Sequence, residues 1–99
     1  MALLSIDLQD GFASDAVAVA INGQVVFSRP DVQTKRLVGK AASFEAEVPD
    51  GQVELEINVP TKNLKQTIHL DLSGTFYVGV SIEDGQIKHI LSQKRFGYG

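Results

Sequence analysis

The amino-acid sequence predicts an all-β protein, an antiparallel β-sandwich of about seven to eight strands with no substantial helix. Two observations lead to this fold class. Apolar and polar residues alternate along most of the chain, so that every second side chain falls on the same face of an extended strand. Turn sequences, most of them Asp-Gly or Asn-Gly, separate the alternating stretches roughly every 8–12 residues.

The composition is that of one globular domain, residues 1–99, with a single core. Hydrophobic residues make up 43% of the chain and charged residues 21%, a balance that favours folding over disorder. The net charge of −3 does not favour nucleic acid as a partner, because phosphates attract basic surfaces. The chain has no cysteine, which excludes disulfides, a thiolate nucleophile and zinc–sulfur sites.

The N-terminal stretch, residues 1–10, does not resemble a secretory signal, because it lacks a basic start and Asp7 interrupts its apolar run. No stretch approaches the roughly 20 apolar residues that span a bilayer. We therefore expect a soluble, cytoplasmic protein that does not contact membranes. The alternative is a periplasmic protein whose signal has been removed.

Residues 16–27 predict a hairpin around Asn22-Gly23, the pair that best fits a type I′ turn. A two-residue loop sets Ala20 opposite Val25 and Ala18 opposite Phe27, and the hairpin would be apolar on both faces. Its alanine side would be covered either by a second layer of the same domain or by a partner. The candidate interface consists of the small and apolar side chains of that side: Ala16, Ala18, Ala20, Val25 and Phe27.

The longest connection, residues 29–41, is too long for a hairpin and suits a crossing from one sheet to the other. Basic residues occur in this connection and near the C-terminus: Arg29, Lys35, Arg36, Lys40, Lys88, Lys94 and Arg95. No glycine-rich phosphate loop and no interleaved aromatic residues accompany them. A solvated surface is therefore favoured over a phosphate or nucleic-acid site.

Residues 42–59 predict a second hairpin that reverses at Pro49-Asp50-Gly51. In the register of a two-residue loop, Val48 faces Val53 and the apolar side chains of both arms share one side. The other side would carry two facing pairs of carboxylates, which cost roughly 0.2–1 kcal/mol per pair. The predicted acidic face consists of Glu45, Glu47, Glu54 and Glu56.

Three interpretations of the acidic face stay open. In the first, the face is an exposed surface whose charge repulsion is relieved by Lys62 and Lys65 and whose charge discourages edge pairing with other molecules. In the second, it docks a basic partner. In the third, it binds a cation such as calcium. The cation interpretation is the weakest, because a flat sheet presents its oxygens from one side only. No metal ligands and no cofactor are predicted.

The stretch VPDGQVELEINVP, residues 48–60, resembles the strand–turn–strand of transthyretin-like and carboxypeptidase-regulatory-type sandwich modules. The resemblance implies an accessory or binding β-sandwich and carries no site residues over. The strand pattern by itself is equally compatible with an immunoglobulin-like sandwich.

The remaining candidates are the two histidines and the C-terminal aromatics. His69 is predicted to point outward, and His89 inward with Leu91 unless a bulge intervenes. A metal site would need a third ligand at a fixed spacing. Phe96 and Tyr98 are predicted to fold back over a core edge. The alternative is an exposed hook that docks on another molecule, and both residues are therefore included in the candidate interface.

These observations leave three classes of function open, and the third, an enzyme, would need a cleft that brings His69 or His89 to a carboxylate. The first is a non-enzymatic binding module for a protein partner, which includes self-association into a homodimer. The second is a small-ligand or cation-binding domain that uses the acidic face. No catalytic residue is predicted, because no G-x-S-x-G elbow is present and both histidines lie on regular strands.

Overall fold

A computed structural model describes residues 1–35 and 37–97 and confirms the all-β fold class. The described residues form eight strands and one short 3-10 turn at Pro60–Lys62. The strands are β1 (Ala2–Leu8), β2 (Asp15–Ile21), β3 (Gln24–Val32), β4 (Ala42–Val48), β5 (Gly51–Val59), β6 (Leu64–Leu72), β7 (Thr75–Glu83) and β8 (Gln86–Ser92). Within these residues, no helix is long and apolar enough to cross a membrane.

The strands form two four-stranded sheets that pack face to face. Sheet A has the order β4-β1-β7-β8 and sheet B the order β3-β2-β5-β6. All neighbouring strands are antiparallel except β1 and β7, which run parallel. A parallel pair needs a long excursion of the chain between its two strands, and here that excursion includes the whole of sheet B.

The core lies between the sheets and follows the two-residue period of the sequence. In β1, the side chains of Leu4, Ile6 and Leu8 are fully buried, while the residues between them are only half-buried. In β5, Leu55 and Ile57 are fully buried and Glu54 is exposed, as the sequence pattern predicts. Burying a leucine or isoleucine side chain in this way stabilises the fold by about 1.5–3 kcal/mol.

The hairpin predicted at Asn22-Gly23 is confirmed, and Asp84-Gly85 forms a second turn of the same kind. Asn22-Gly23 joins β2 to β3, and Asp84-Gly85 joins β7 to β8. All four of these turn residues have positive φ, between 50° and 83°, as a type I′ turn requires. The connection predicted at 29–41 crosses from sheet B to sheet A as expected, but it begins only after Val32, because residues 29–32 belong to β3.

The predicted hairpin over residues 42–59 is wrong. β4 and β5 do not pair with each other, because β4 lies at the edge of sheet A beside β1 and β5 lies inside sheet B between β2 and β6. Pro49-Asp50-Gly51 therefore carries the chain from one sheet to the other. The error has a physical cause: alternation predicts which side of a strand is buried, but both a hairpin and a sheet-to-sheet crossing satisfy it.

The register of β3 also differs from the prediction. The first pairs, Ile21 with Gln24 and Ala20 with Val25, are as expected, but a bulge at Val26 then sets Val19 opposite Phe27. An extra residue in one strand reverses the facing of the side chains that follow it. Phe27 consequently points into the core, where it is 8% exposed.

Candidate functional site

A concave surface lies on the outer face of sheet A, and we call it the outer groove. Its volume is about 450 Å³, and it brings together residues of both charge signs, hydroxyl groups and aromatic rings. The lining residues are Ser5, Asp7, Lys40, Ser43, Phe44, Glu45, Tyr77, Arg95 and Phe96. A volume of this order falls within the range of pockets that bind small molecules.

The floor of the outer groove follows from the strand register of sheet A. Glu45 of β4 lies beside Ser5 of β1, which in turn lies beside Tyr77 of β7. Adjacent strands are about 4.8 Å apart, so Glu45 and Tyr77 flank Ser5 at a separation of two strand spacings. A small side chain between two larger ones makes a shallow depression across the sheet.

The next row of the sheet extends this depression on the β1 and β4 side, where Asp7 and Ser43 line it. Asp7 of β1 lies between Ser43 of β4 and Gly79 of β7. Gly79 is buried although it has no side chain, because the carboxamide of Gln9 lies over it, and a Cβ at this position would come within 2.7 Å of that side chain. The carboxamide of Gln9 therefore occupies the place that a side chain at Gly79 would take on this face.

The C-terminal segment forms one wall of the outer groove. After β8 the chain turns at Ser92, whose hydroxyl accepts a hydrogen bond from the N–H of Lys94 at 3.0 Å and donates one to its carbonyl at 2.9 Å. The guanidinium of Arg95 then lies over the ring of Tyr77, 5.8 Å from its centre. A cation over an aromatic face contributes roughly 0.5–1 kcal/mol at an exposed site.

Phe96 folds back, but onto the outer face of sheet A rather than over a core edge. It is half-buried and lines the outer groove, and it does not belong to the core cluster. Tyr98, the other aromatic of the candidate interface, lies outside the described residues. Sequence reasoning identified Phe96 and Glu45 as candidates but did not place them in one site.

The predicted acidic face does not form as one surface. Glu45 and Glu47 lie on the outer side of sheet A, whereas Glu54 and Glu56 lie on the outer side of sheet B, where they face His69 and Thr67. The Nζ of Lys65 lies 3.7 Å from a carboxylate oxygen of Glu56, which agrees with the predicted relief by this lysine.

The candidate interface on the first hairpin is only partly assembled. Ala16, Ala18 and Ala20 are half-buried in β2, and Val25 is 60% exposed. Phe27 does not share that surface, because the bulge turns it into the core. There its ring stacks on that of Phe44 at 4.5 Å between centroids.

The two histidines lie apart from the outer groove. His69 of β6 is exposed on sheet B and lines a separate depression with Glu54, Asp71 and Asn22. His89 lies on the core side of β8 opposite Val80, as strict alternation predicts, yet it is exposed at the sheet edge. Over the described ranges, no three histidine or acidic side chains gather in a metal-binding arrangement.

Asp15 is the one buried charged residue of the described chain, and sequence reasoning did not single it out. Its carboxylate accepts hydrogen bonds from the Thr61 hydroxyl at 2.6 Å and the Ala13 N–H at 2.9 Å, and it lies 3.0 Å from the Nζ of Lys62. Burial alone would raise the pKa of Asp15, but these three donors together lower it below its usual value. A carboxylate with all these partners anchors the 3-10 turn to β2.

No local signal in the sequence could have revealed this anchor, because Asp15 and Thr61 are separated by 46 residues.

Comparison of the chain with protein-family models, curated proteins and solved structures gives no match. The resemblance of residues 48–60 to transthyretin-like modules therefore stays a prediction. The functional argument rests on the geometry of the outer groove.

Proposed function

We propose that this protein is a non-enzymatic binding module that holds a segment of another protein in the outer groove. The observation that carries the proposal is the wall formed by Tyr77, Arg95 and Phe96, with the Arg95 guanidinium over the Tyr77 ring. Tyrosine and arginine are the residue types that most often dominate the binding energy of protein interfaces, and aromatic residues are enriched there.

The charge pattern of the outer groove supports a polar partner. Glu45 lines it on the β4 side and Arg95 on the tail side, and both residues are exposed. An extended segment that crosses between them would meet a carboxylate near one end and a guanidinium near the other. Complementary charges at these two places would fix the direction of the bound segment.

The experiment is a selection of random displayed peptides on the immobilised protein, followed by affinity measurements with groove variants. Arg95→Ala and Tyr77→Ala should each weaken the selected peptides at least about tenfold, which corresponds to roughly 1.4 kcal/mol of binding free energy. Val25→Ala and Thr67→Ala on sheet B are matched controls and should bind as the wild type does. Failure to select any peptide, or peptides that bind all four variants equally, would contradict the proposal.

The second candidate is a small polar ligand in the same groove, and its volume of about 450 Å³ favours this alternative. Binding of the protein to an array of saccharides or nucleotides would favour the small ligand over the peptide. Tyr77→Ala should weaken that binding if the ligand occupies the outer groove. Cation binding at the predicted acidic face is not retained as a candidate, because its four glutamates lie on two different sheets.

A further inference from the structure

The two edges of sheet A are open. Among residues 1–35 and 37–97, β4 pairs only with β1 and β8 pairs only with β7, so each has one side without a neighbouring strand in its sheet. The backbone N–H and C=O groups on the outer side of an edge strand are a template for another strand. The protein therefore presents two such templates on one sheet.

Each edge also exposes apolar side chains. On β8, Ile90 is 59% exposed, and Leu91 is 44% exposed although it faces the core side of the sheet opposite Val78. Beside β4, the core side is incompletely covered, because Ala46 is half-buried and Val26 of β3 is 40% exposed. An added strand at either edge would remove this apolar surface from water.

The two edges carry opposite charges on their outer faces. β4 presents the exposed carboxylates of Glu45 and Glu47, and β8 presents the exposed ammonium of Lys88. Like charges on facing strands are destabilising, so β4 pairs poorly with a second β4, and β8 gains no opposite charge from a second β8. The pairing of β8 with β4 is the one that brings opposite charges together.

We propose that copies of this chain associate head to tail, with β8 of one copy beside β4 of the next. β4 and β8 are both antiparallel to the central pair β1 and β7, so they run in the same direction within a copy. Within one copy, Lys88 is level with Ser81 and Glu47 is level with Thr75, six residues apart along the strands. A copy that is displaced along the sheet, and shifted along its strands until Glu47 reaches Lys88, would therefore add its strand in parallel. The contact joins two different surfaces, the β8 edge of one copy and the β4 edge of the next. A pair of copies therefore still has one open β4 edge and one open β8 edge, so further copies can add and the average size of the assembly increases with concentration.

This inference is independent of the proposed role of the outer groove, and the test uses residues outside it. Neither Glu47 nor Lys88 lines the groove. Sedimentation velocity at low salt should show an average mass that rises with protein concentration and falls when salt is added. The variants Glu47→Lys and Lys88→Glu should each sediment as monomers under the same conditions.

An equimolar mixture of the two variants gives the sharpest outcome. In the mixture, the unchanged Lys88 of one variant meets the unchanged Glu47 of the other, and the two reversed charges also meet as an opposite pair. Both contacts are therefore favourable between unlike copies, and the mixture should regain the concentration-dependent association of the wild type. Glu54→Lys and Lys65→Glu are matched charge reversals on sheet B and should associate as the wild type does. Amide spectra of each variant establish that the fold is retained.

Three results would overturn the inference. One is a wild-type protein that stays monomeric over the whole concentration range at low salt. Another is association of both edge variants to the extent of the wild type, which would place the contact elsewhere. The third is a mixture of the two edge variants that stays monomeric. In each case, the peptide measurements on the outer groove would still decide the proposed function separately.

Discussion

The rings of Phe27 and Phe44 stack with their centroids 4.5 Å apart and their planes 12° apart, and they join the two sheets at one side of the sandwich. Phe27 comes from β3, an edge of sheet B, and Phe44 from β4, an edge of sheet A. The guanidinium of Arg29 lies 5.2 Å from the centre of the Phe27 ring. This contact depends on the bulge at Val26, without which Phe27 would face outward.

Replacement of Phe27 by alanine should therefore lower the free energy of unfolding by about 3 kcal/mol, because it removes a buried ring and the stacking contact of that ring with Phe44. Val25→Ala is the matched control, and it should cost no more than about 0.5 kcal/mol, since Val25 is 60% exposed. Urea unfolding measures both. Equal, small effects of the two substitutions would mean that Phe27 is a surface residue.

Gly11 lies against β7, and its replacement by alanine should be severe. Its φ is +90°, and a Cβ would overlap the carbonyl oxygen of Ile82. We expect the free energy of unfolding to fall by about 3 kcal/mol or more, because the substitution strains the backbone and also displaces β7. Gly85→Ala separates the two causes, because Gly85 has a φ of +71° but open space around it. That control should cost only about 1 kcal/mol in thermal or urea unfolding.

The buried carboxylate of Asp15 should make stability fall in acid. Its pKa is lowered in the folded state, so its contribution is fully present above the ordinary value of 3.8 and disappears as pH falls through the lower folded value. Asp15→Asn should reduce stability at neutral pH and flatten the acid limb of a stability-against-pH curve. Asp71→Asn, at an exposed position, is the control and should leave the acid limb unchanged.

The separation of the glutamates can be tested by double-mutant cycles. Glu47 faces Leu3 and Glu54 faces His69, so charge reversals at the two glutamates should be additive within about 0.5 kcal/mol. Glu56 and Lys65 form an exposed pair at 3.7 Å and should show a coupling of about 0.5 kcal/mol that salt reduces. Urea unfolding of each set provides the energies. A large coupling between Glu47 and Glu54 would instead support the hairpin pairing of β4 with β5.

The local sequence pattern could not predict how the residues of the candidate site come together. Glu45 and Phe96 stand out as an edge carboxylate and a terminal aromatic, but they are 51 positions apart and meet only because β1 and β7 are neighbours. Parallel pairing of β1 with β7 has no local signal, since no turn joins the two strands. The place of Tyr77 in the groove follows from the same pairing.

The local pattern of residues specifies which stretches are extended, which side of most strands is buried, and where Asn22-Gly23 and Asp84-Gly85 fold the chain back. These are local properties, because side-chain period and turn conformation depend on residues that are adjacent in the chain. The crossing between sheets at Pro49–Gly51 and the inward turn of Phe27 at a bulge depend instead on long-range packing. The tertiary structure also decides that the groove forms on the outer face of sheet A, because burial of the two inner faces against each other selects among pairings that the local pattern allows equally.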